Sequence, residues 1–166
     1  MVPFFPHQTI EWKLHEPPFL RRLSLSLGWM AVITGVAMRS YRWLALSHEP
    51  LSWWLFFATF AGGLAILFAL ATAHLGNYTV RQWIWRAPLF AIVEGATESA
   101  MSALFIALGI ERIGTRLAHW PDWPELMQQA FVRRLGFLLI FTLILAAVVQ
   151  WVRWELLRRE HRMGGD

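Results

Sequence analysis

The sequence predicts an all-α integral membrane protein, a four-transmembrane-helix bundle with short loops, an extended N-terminal arm and short interfacial helices. Three observations predict this class. Of the 166 residues, 57% are hydrophobic and only 16% are charged, and most of the 11 tryptophans lie at the ends of apolar runs. Soluble domains carry about 25% charged residues, and tryptophan rings favour the headgroup level of a membrane.

Four apolar stretches are long enough to cross a bilayer, which takes about 20 helical residues. The predicted transmembrane domain covers residues 23–152, with spans at 23–46, 51–75, 88–110 and 135–152. The second stretch has no Asp, Glu, Lys or Arg. Arg39 and Arg42 lie near the far end of the first stretch, where long side chains can reach the interface. Short loops predict antiparallel neighbours with both termini on one side.

The segments outside this domain have their own compositions. Residues 1–22 contain four prolines, which break helices, and we interpret them as an interfacial arm. Aromatic side chains can anchor such an arm on a partner protein, and the candidates are Phe4, Phe5, Trp12 and Phe19. Residues 153–166 form a basic tail.

The start of the third span has a helix-initiation pattern. Thr79 and Gln82 have the spacing of a capping box, in which each side chain bonds a free backbone N–H group. We expect a short interfacial helix at residues 80–86, with Pro88 opening the third span.

The net charge of +4 indicates contact with anionic lipid headgroups rather than with nucleic acid, because the arginines flank apolar runs. In the predicted topology, nine basic residues lie on the side of the termini and six on the other side. This excess favours cytoplasmic termini. We expect the chain in a bacterial inner or intracytoplasmic membrane.

The third span carries two carboxylates inside an apolar segment. Glu94 and Glu98 lie four residues apart and share one helix face. An ionised carboxylate at the bilayer centre costs about 3 kcal/mol, so the pair should face protein. We weigh three interpretations: a structural pairing with an arginine or backbone donors of this or another chain, a proton or ion path, and a metal site. Ser102 lies one turn beyond Glu98 and can donate a hydrogen bond to it.

Small residues predict where helices approach closely. Gly95, Ser99 and Ala103 recur at four-residue spacing along the third span. Gly62 and Gly63 lie at the middle of the second span. Such patterns are typical of tightly packed membrane helices.

His74 is the histidine closest to the predicted membrane interior. It lies near the end of the second span, on the side where the third begins, and could reach Glu94. A histidine satisfied at the interface is the alternative. The remaining histidines lie outside the apolar runs, which excludes a haem held by two histidines on facing helices.

Recognisable catalytic patterns are missing from the sequence. It has no cysteine, no glycine-rich phosphate loop, no Gly-x-Ser-x-Gly and no His-Glu-x-x-His. We therefore expect no enzyme, no catalytic residue, no metal and no cofactor, although lipids or pigments of a host complex could bind.

The function we expect is that of a small non-catalytic membrane subunit, which packs into a larger complex such as a respiratory or photosynthetic one. Its partners would be larger membrane subunits and lipids. The first alternative is an oligomeric proton- or cation-coupled channel or transporter that uses Glu94 and Glu98. The second is a membrane-embedded cofactor- or metal-binding protein.

Overall fold

The computed structural model of the chain describes residues 26–46, 52–76, 78–113 and 116–163. Within these residues the fold is helical apart from one short hairpin. The predicted N-terminal arm, with Phe4, Phe5, Trp12 and Phe19, lies outside the described residues, as does the end of the basic tail.

Three long helices come first, and a fourth follows a short irregular region. The elements in chain order are α1 (Leu27–Leu46), α2 (Trp53–Leu75), α3 (Val80–Ala107), β1 (Arg112–Ile113), β2 (Arg116–Leu117), a 3-10 turn (Trp120–Asp122), α4 (Trp123–Gln128), a π-helical turn (Gln129–Arg133) and α5 (Arg134–Met163). The strands β1 and β2 pair in antiparallel fashion.

Three stretches of the described chain are long and apolar enough to cross a membrane: Trp53–Leu75, Val80–Ala107 and Trp120–Val152. The predicted all-helical class, with apolar helices long enough to cross a membrane, is confirmed at this level. Helix α1 does not belong to this set and carries Arg39 and Arg42. A bundle of four spans therefore stays a prediction.

Helix α3 begins earlier than the sequence indicated and runs through Pro88 without a break. The predicted interfacial helix is its first two turns. A proline inside a helix costs about 3 kcal/mol, and burial on both sides of it offsets this cost. Trp83 and Phe90, before and after the proline, are both buried. The Trp83 indole N–H also donates to the Leu75 carbonyl oxygen at 2.9 Å, which ties α3 to the end of α2.

The predicted capping box at the start of α3 does not form. Thr79 is the N-cap residue, but its side chain makes no capping hydrogen bond. The Gln82 backbone N–H donates instead to the Thr79 carbonyl oxygen at 2.8 Å.

The core lies between α1 and α3, with α2 and α5 packed against it. Its main apolar cluster draws residues from all four long helices: Met30, Ala31, Met38, Leu67, Ala71, Phe90, Ala91 and Leu138. Helices α1 and α3 run in the same direction, because Gly35 contacts α3 at Glu94 and Thr97 while the Trp43 indole donates to the Ile110 carbonyl oxygen. The glycines of α2 also allow close approach, since Gly63 packs on Tyr41 and Met38 of α1.

Gly109 reverses the chain at the end of α3. Its φ of 67° lies in the left-handed region that favours glycine. The Gly109 N–H donates to the Ile106 carbonyl at 3.0 Å, and the Ile110 N–H to the Phe105 carbonyl at 2.9 Å. This pair of bonds is a Schellman motif. It turns residue Glu111 back toward the helices.

We predict that Gly35→Ala weakens the packing of α1 on α3. A Cβ atom at Gly35 would lie 2.7 Å from the Glu94 backbone oxygen and 2.7 Å from the Thr97 Cβ, so a backbone has to shift. Overpacking of this kind lowers the free energy of unfolding by about 1–3 kcal/mol. Tryptophan fluorescence during unfolding in detergent measures it. Gly28→Ala, on the same helix with no atom within 4 Å of the new Cβ, is the matched control and should lose nothing. Equal stability of the two variants would contradict the close contact.

Candidate functional site

The centre of the candidate site is the Glu98 carboxylate, which is wholly buried in the protein. Two guanidinium groups from different helices hold it. The Arg134 Nε, on α5, lies 2.9 Å from Glu98 Oε2, and the Arg42 Nη2, on α1, lies 3.0 Å from Oε1. One carboxylate on α3 therefore joins three helices, and the compensating arginines belong to the same chain.

A second ion pair lies beside the first. The Arg39 Nε donates to Glu111 Oε2 at 3.0 Å, and both residues are buried. Arg39 Nη2 donates to the Ser102 hydroxyl oxygen at 3.0 Å. Ser102 therefore accepts a hydrogen bond from an arginine of α1, whereas the sequence suggested that it would donate to Glu98.

Helical spacing explains why these groups meet. Gly35, Arg39 and Arg42 are four and three residues apart, so they lie on one face of α1. Glu98 and Ser102 share a face of α3 for the same reason. Gly35 brings the two backbones together, and the arginines then reach the polar face of α3. The Schellman turn supplies Glu111 from beyond the helix end.

Glu94 is in a different situation from Glu98, although it lies only one turn away. Its side chain is wholly buried, and neither carboxylate oxygen has a hydrogen-bond partner among the described residues. A buried carboxylate without donors is costly in its charged form. The sequence predicted a structural pairing for Glu94 or Glu98, and within the described chain Glu98 makes it.

His74 is also wholly buried, and its two ring nitrogens have no hydrogen-bond partner in the described part of the chain. Its imidazole stacks on the Phe90 ring, with 5.4 Å between centroids and 20° between planes. The sequence-based pairing of His74 with Glu94 is thus not a hydrogen bond in the structure. The His74 imidazole is therefore buried against aromatic rings rather than hydrogen-bonded to a described residue.

The predicted small-residue face of α3 meets the segment that precedes α5. A Cβ at Gly95 would lie 3.5 Å from the Phe131 ring, which is ordinary contact. The Trp123 indole N–H donates to the Ser99 carbonyl oxygen at 3.2 Å. Ala103, the third residue of this face, is half-buried.

The described residues contain no group of three or more His, Asp and Glu side chains placed to hold a metal ion. Both oxygens of Glu98 already bind guanidinium groups. The chemistry that the cluster offers is charge pairing between helices.

A cavity of about 140 Å³ lies beside the cluster, between α1, α2 and the start of α5. Its lining is mostly apolar but includes both arginines that hold Glu98. The lining residues are Met38, Tyr41, Arg42, Phe56, Thr59, Phe60, Gly63, Leu64 and Arg134. The sequence did not indicate this cavity, because its wall comes from three helices whose packing no local pattern specifies.

Of the paired residues in the cluster, Glu98 was a candidate from the sequence, whereas Glu111 and the three arginines were not. Arg39 and Arg42 were taken to reach the interface, and Arg134 to flank a span. The number of charges was a signal that could have indicated ion pairs. Two arginines lie inside one apolar stretch and two glutamates inside another, so the two stretches can neutralise each other's charges. Glu111 could not be foreseen, since it depends on the turn at Gly109.

No protein-family model, curated protein or solved structure matches the chain.

We predict that Glu98→Gln destabilises the protein far more than Glu94→Gln. Removing the Glu98 charge leaves two guanidinium groups without their carboxylate, and breaking a buried ion pair costs about 3 kcal/mol or more. The Glu94→Gln variant loses no hydrogen bond to any described residue, so its free energy of unfolding should stay within about 1 kcal/mol of the wild-type value. Unfolding in detergent, followed by tryptophan fluorescence, measures both variants.

A double-mutant cycle of Glu98→Gln with Arg42→Gln isolates the pairwise energy. The double variant should lose less unfolding free energy than the two single variants lose in total. Strict additivity, or equal losses in the two glutamate variants, would contradict the ion pairing.

Proposed function

We propose that the chain is a small non-catalytic membrane subunit that packs laterally against larger membrane proteins and stabilises their complex. The observation that carries this proposal is the pairing of Glu98 with Arg42 and Arg134. These charges hold the chain's own helices together. Because these charges are paired within the chain, the apolar outer surface is the feature available to other molecules.

The outer faces of α2 and α5 support the proposal. In the most apolar part of each helical stretch, the protein buries 17% of the residues of Trp53–Leu75 and 11% of those of Trp120–Val152. The corresponding share for Val80–Ala107 is 50%. Large apolar patches of this kind mark contacts with lipid or with membrane proteins. Their exposed side chains include Trp53, Trp54, Phe56, Phe57, Ile140, Leu143, Ile144 and Trp151.

The host that we propose is an energy-converting complex, respiratory or photosynthetic, of a bacterial inner or intracytoplasmic membrane. The basic excess on the side of the termini supports a cytoplasmic location for both. Under this proposal the aromatic residues of the N-terminal arm, Phe4, Phe5, Trp12 and Phe19, add a second attachment to the host.

We expect photo-crosslinking from the outer helix faces to join the chain to one larger membrane protein. A crosslinking amino acid at Phe57 of α2 or Leu143 of α5 is exposed, whereas the same group at Leu138 of α5 is in the core. The first two positions should give a defined larger adduct after mild extraction, and Leu138 should give none. The adduct should co-migrate with the assembled host on native gels. A chain that migrates alone, with adducts to lipid only, would overturn the proposal.

A second candidate function is an oligomeric proton- or cation-coupled channel, which one observation favours: Glu94 is buried without a donor among the described residues. A lone carboxylate can exchange a proton, whereas a metal ion needs several ligands and the described residues bring no group of three His, Asp and Glu side chains together. Proteoliposomes with an internal pH-sensitive dye test this candidate. A proton flux that Glu94→Gln abolishes and Arg133→Gln preserves would support it, and the lack of any flux across a range of pH would eliminate it.

A further inference from the structure

We propose that the cavity between α1, α2 and α5 binds a membrane lipid with an anionic phosphate headgroup, with Arg42 and Arg134 at the headgroup and the apolar wall along the tail. This ligand site goes beyond the proposed function, because a subunit that only packs against its host needs no cavity of its own.

The cavity extends along α2, a helix that is long and apolar enough to cross a membrane. Its lining on α2 runs from Phe56 to Leu64, which spans about 12 Å of helix. Trp53, at the beginning of the same helix, is 68% exposed, as expected for a tryptophan at the interface. Phe56 therefore lies about 5 Å below the interface and Leu64 about 17 Å below it. One end of the cavity is near the headgroup level and the other is in the hydrocarbon layer.

The arginines lie at the outer end. The Phe60 ring of α2 lies 6.3 Å from the Phe137 ring of α5. Leu75 and Val149, further along the two helices, share a second apolar cluster, so α2 and α5 run in the same direction. Arg134, three residues before Phe137, is therefore closer to the interface than the Phe60 level.

The deeper wall is apolar and tightly defined. Gly63 lies against Met38 and Tyr41, because a Cβ there would be 3.6 Å from the Met38 Cε and 3.4 Å from the Tyr41 ring. The Tyr41 hydroxyl donates to the Thr59 carbonyl oxygen at 3.0 Å, which satisfies this polar group within the wall. An acyl chain fits such a lining, whereas a polar solute would find no partner there.

The charge at the outer end favours an anion. Two guanidinium groups meet one carboxylate there, which leaves one positive charge in excess among the groups at the cavity. The Arg42 side chain is 35% exposed although its partner Glu98 is wholly buried, so part of the guanidinium faces away from the carboxylate. A guanidinium has five N–H donors, and Glu98 uses only some of them. A phosphate group accepts such donors in pairs.

The test uses the purified full chain in a neutral detergent, with native mass spectrometry as the readout. The probes are phosphatidylglycerol, phosphatidylcholine with the same acyl chains, and inorganic phosphate. We expect phosphatidylglycerol to bind about tenfold more tightly than phosphatidylcholine. Both lipids carry a phosphodiester, but the choline ammonium makes the second headgroup neutral and is repelled by the excess guanidinium charge. Inorganic phosphate should not compete, because it lacks the tail.

Two pairs of variants locate the site. Thr59→Phe fills the cavity and should abolish binding, whereas Ala58→Phe, at the adjacent exposed position, should preserve it. Arg42→Gln should remove the preference for the anionic lipid, whereas Arg133→Gln removes an exposed charge next to Arg134 and should retain it. The unfolding curve of Arg42→Gln reveals whether this variant folds. If it does not fold, lipid binding by Thr59→Phe and Ala58→Phe decides whether the cavity is the binding site.

Equal binding of the two lipids, or unchanged binding by Thr59→Phe, would overturn the proposal. Competition by inorganic phosphate would overturn it too, since the site would then recognise a free anion without a tail. These outcomes leave the subunit function untouched, because crosslinking to a host at Phe57 and Leu143 does not depend on the cavity.

Discussion

The fold depends on the neutralisation of one carboxylate. Glu98 is wholly buried in a helix that is long and apolar enough to cross a membrane, and it is bound by arginines of α1 and α5. In a low-dielectric environment neither sign of charge is tolerable alone. The interaction therefore fixes which helices are neighbours and at what depth they meet. The second ion pair, Arg39 with Glu111, likewise joins α1 to the segment just beyond the C-terminal end of α3.

Glu94 and Glu98 demonstrate how strongly position controls the role of a side chain. Both are wholly buried on adjacent turns of α3, yet one receives two guanidinium groups and the other receives no hydrogen bond from the described residues. The Gly35 backbone closes over the Glu94 turn, where α1 is in direct contact with α3. One turn further along, the arginine side chains of α1 fill the space between the helices. A small residue and a long one on the same helix face thus create two environments.

Several features of this architecture were predictable from sequence because they follow from local composition and spacing. The apolar helices, the inward direction of the glutamates and the small-residue faces belong to that group. The partners of the glutamates were not predictable, because Arg42 and Arg134 belong to distant segments and a basic residue near an apolar run usually indicates an interface. The uninterrupted helix through Pro88 was also missed, since the burial of Trp83 and Phe90 that offsets the proline is a tertiary effect. The cavity depends on the packing of three helices and leaves no trace in the sequence.

The turn at Gly109 has a consequence for how the chain is made. It delivers Glu111 to Arg39, its partner 72 residues earlier in the chain. During synthesis the two arginines of α1 emerge long before any carboxylate that can neutralise them, and Arg134 follows Glu98 only after a further 36 residues. The ion pairs that hold α1 on α3 therefore form only after α3 and the segment after it have left the ribosome. Helix α1 is the first helix of the described chain to be made, yet its arginines meet their carboxylates only after α2 and α3 have followed it.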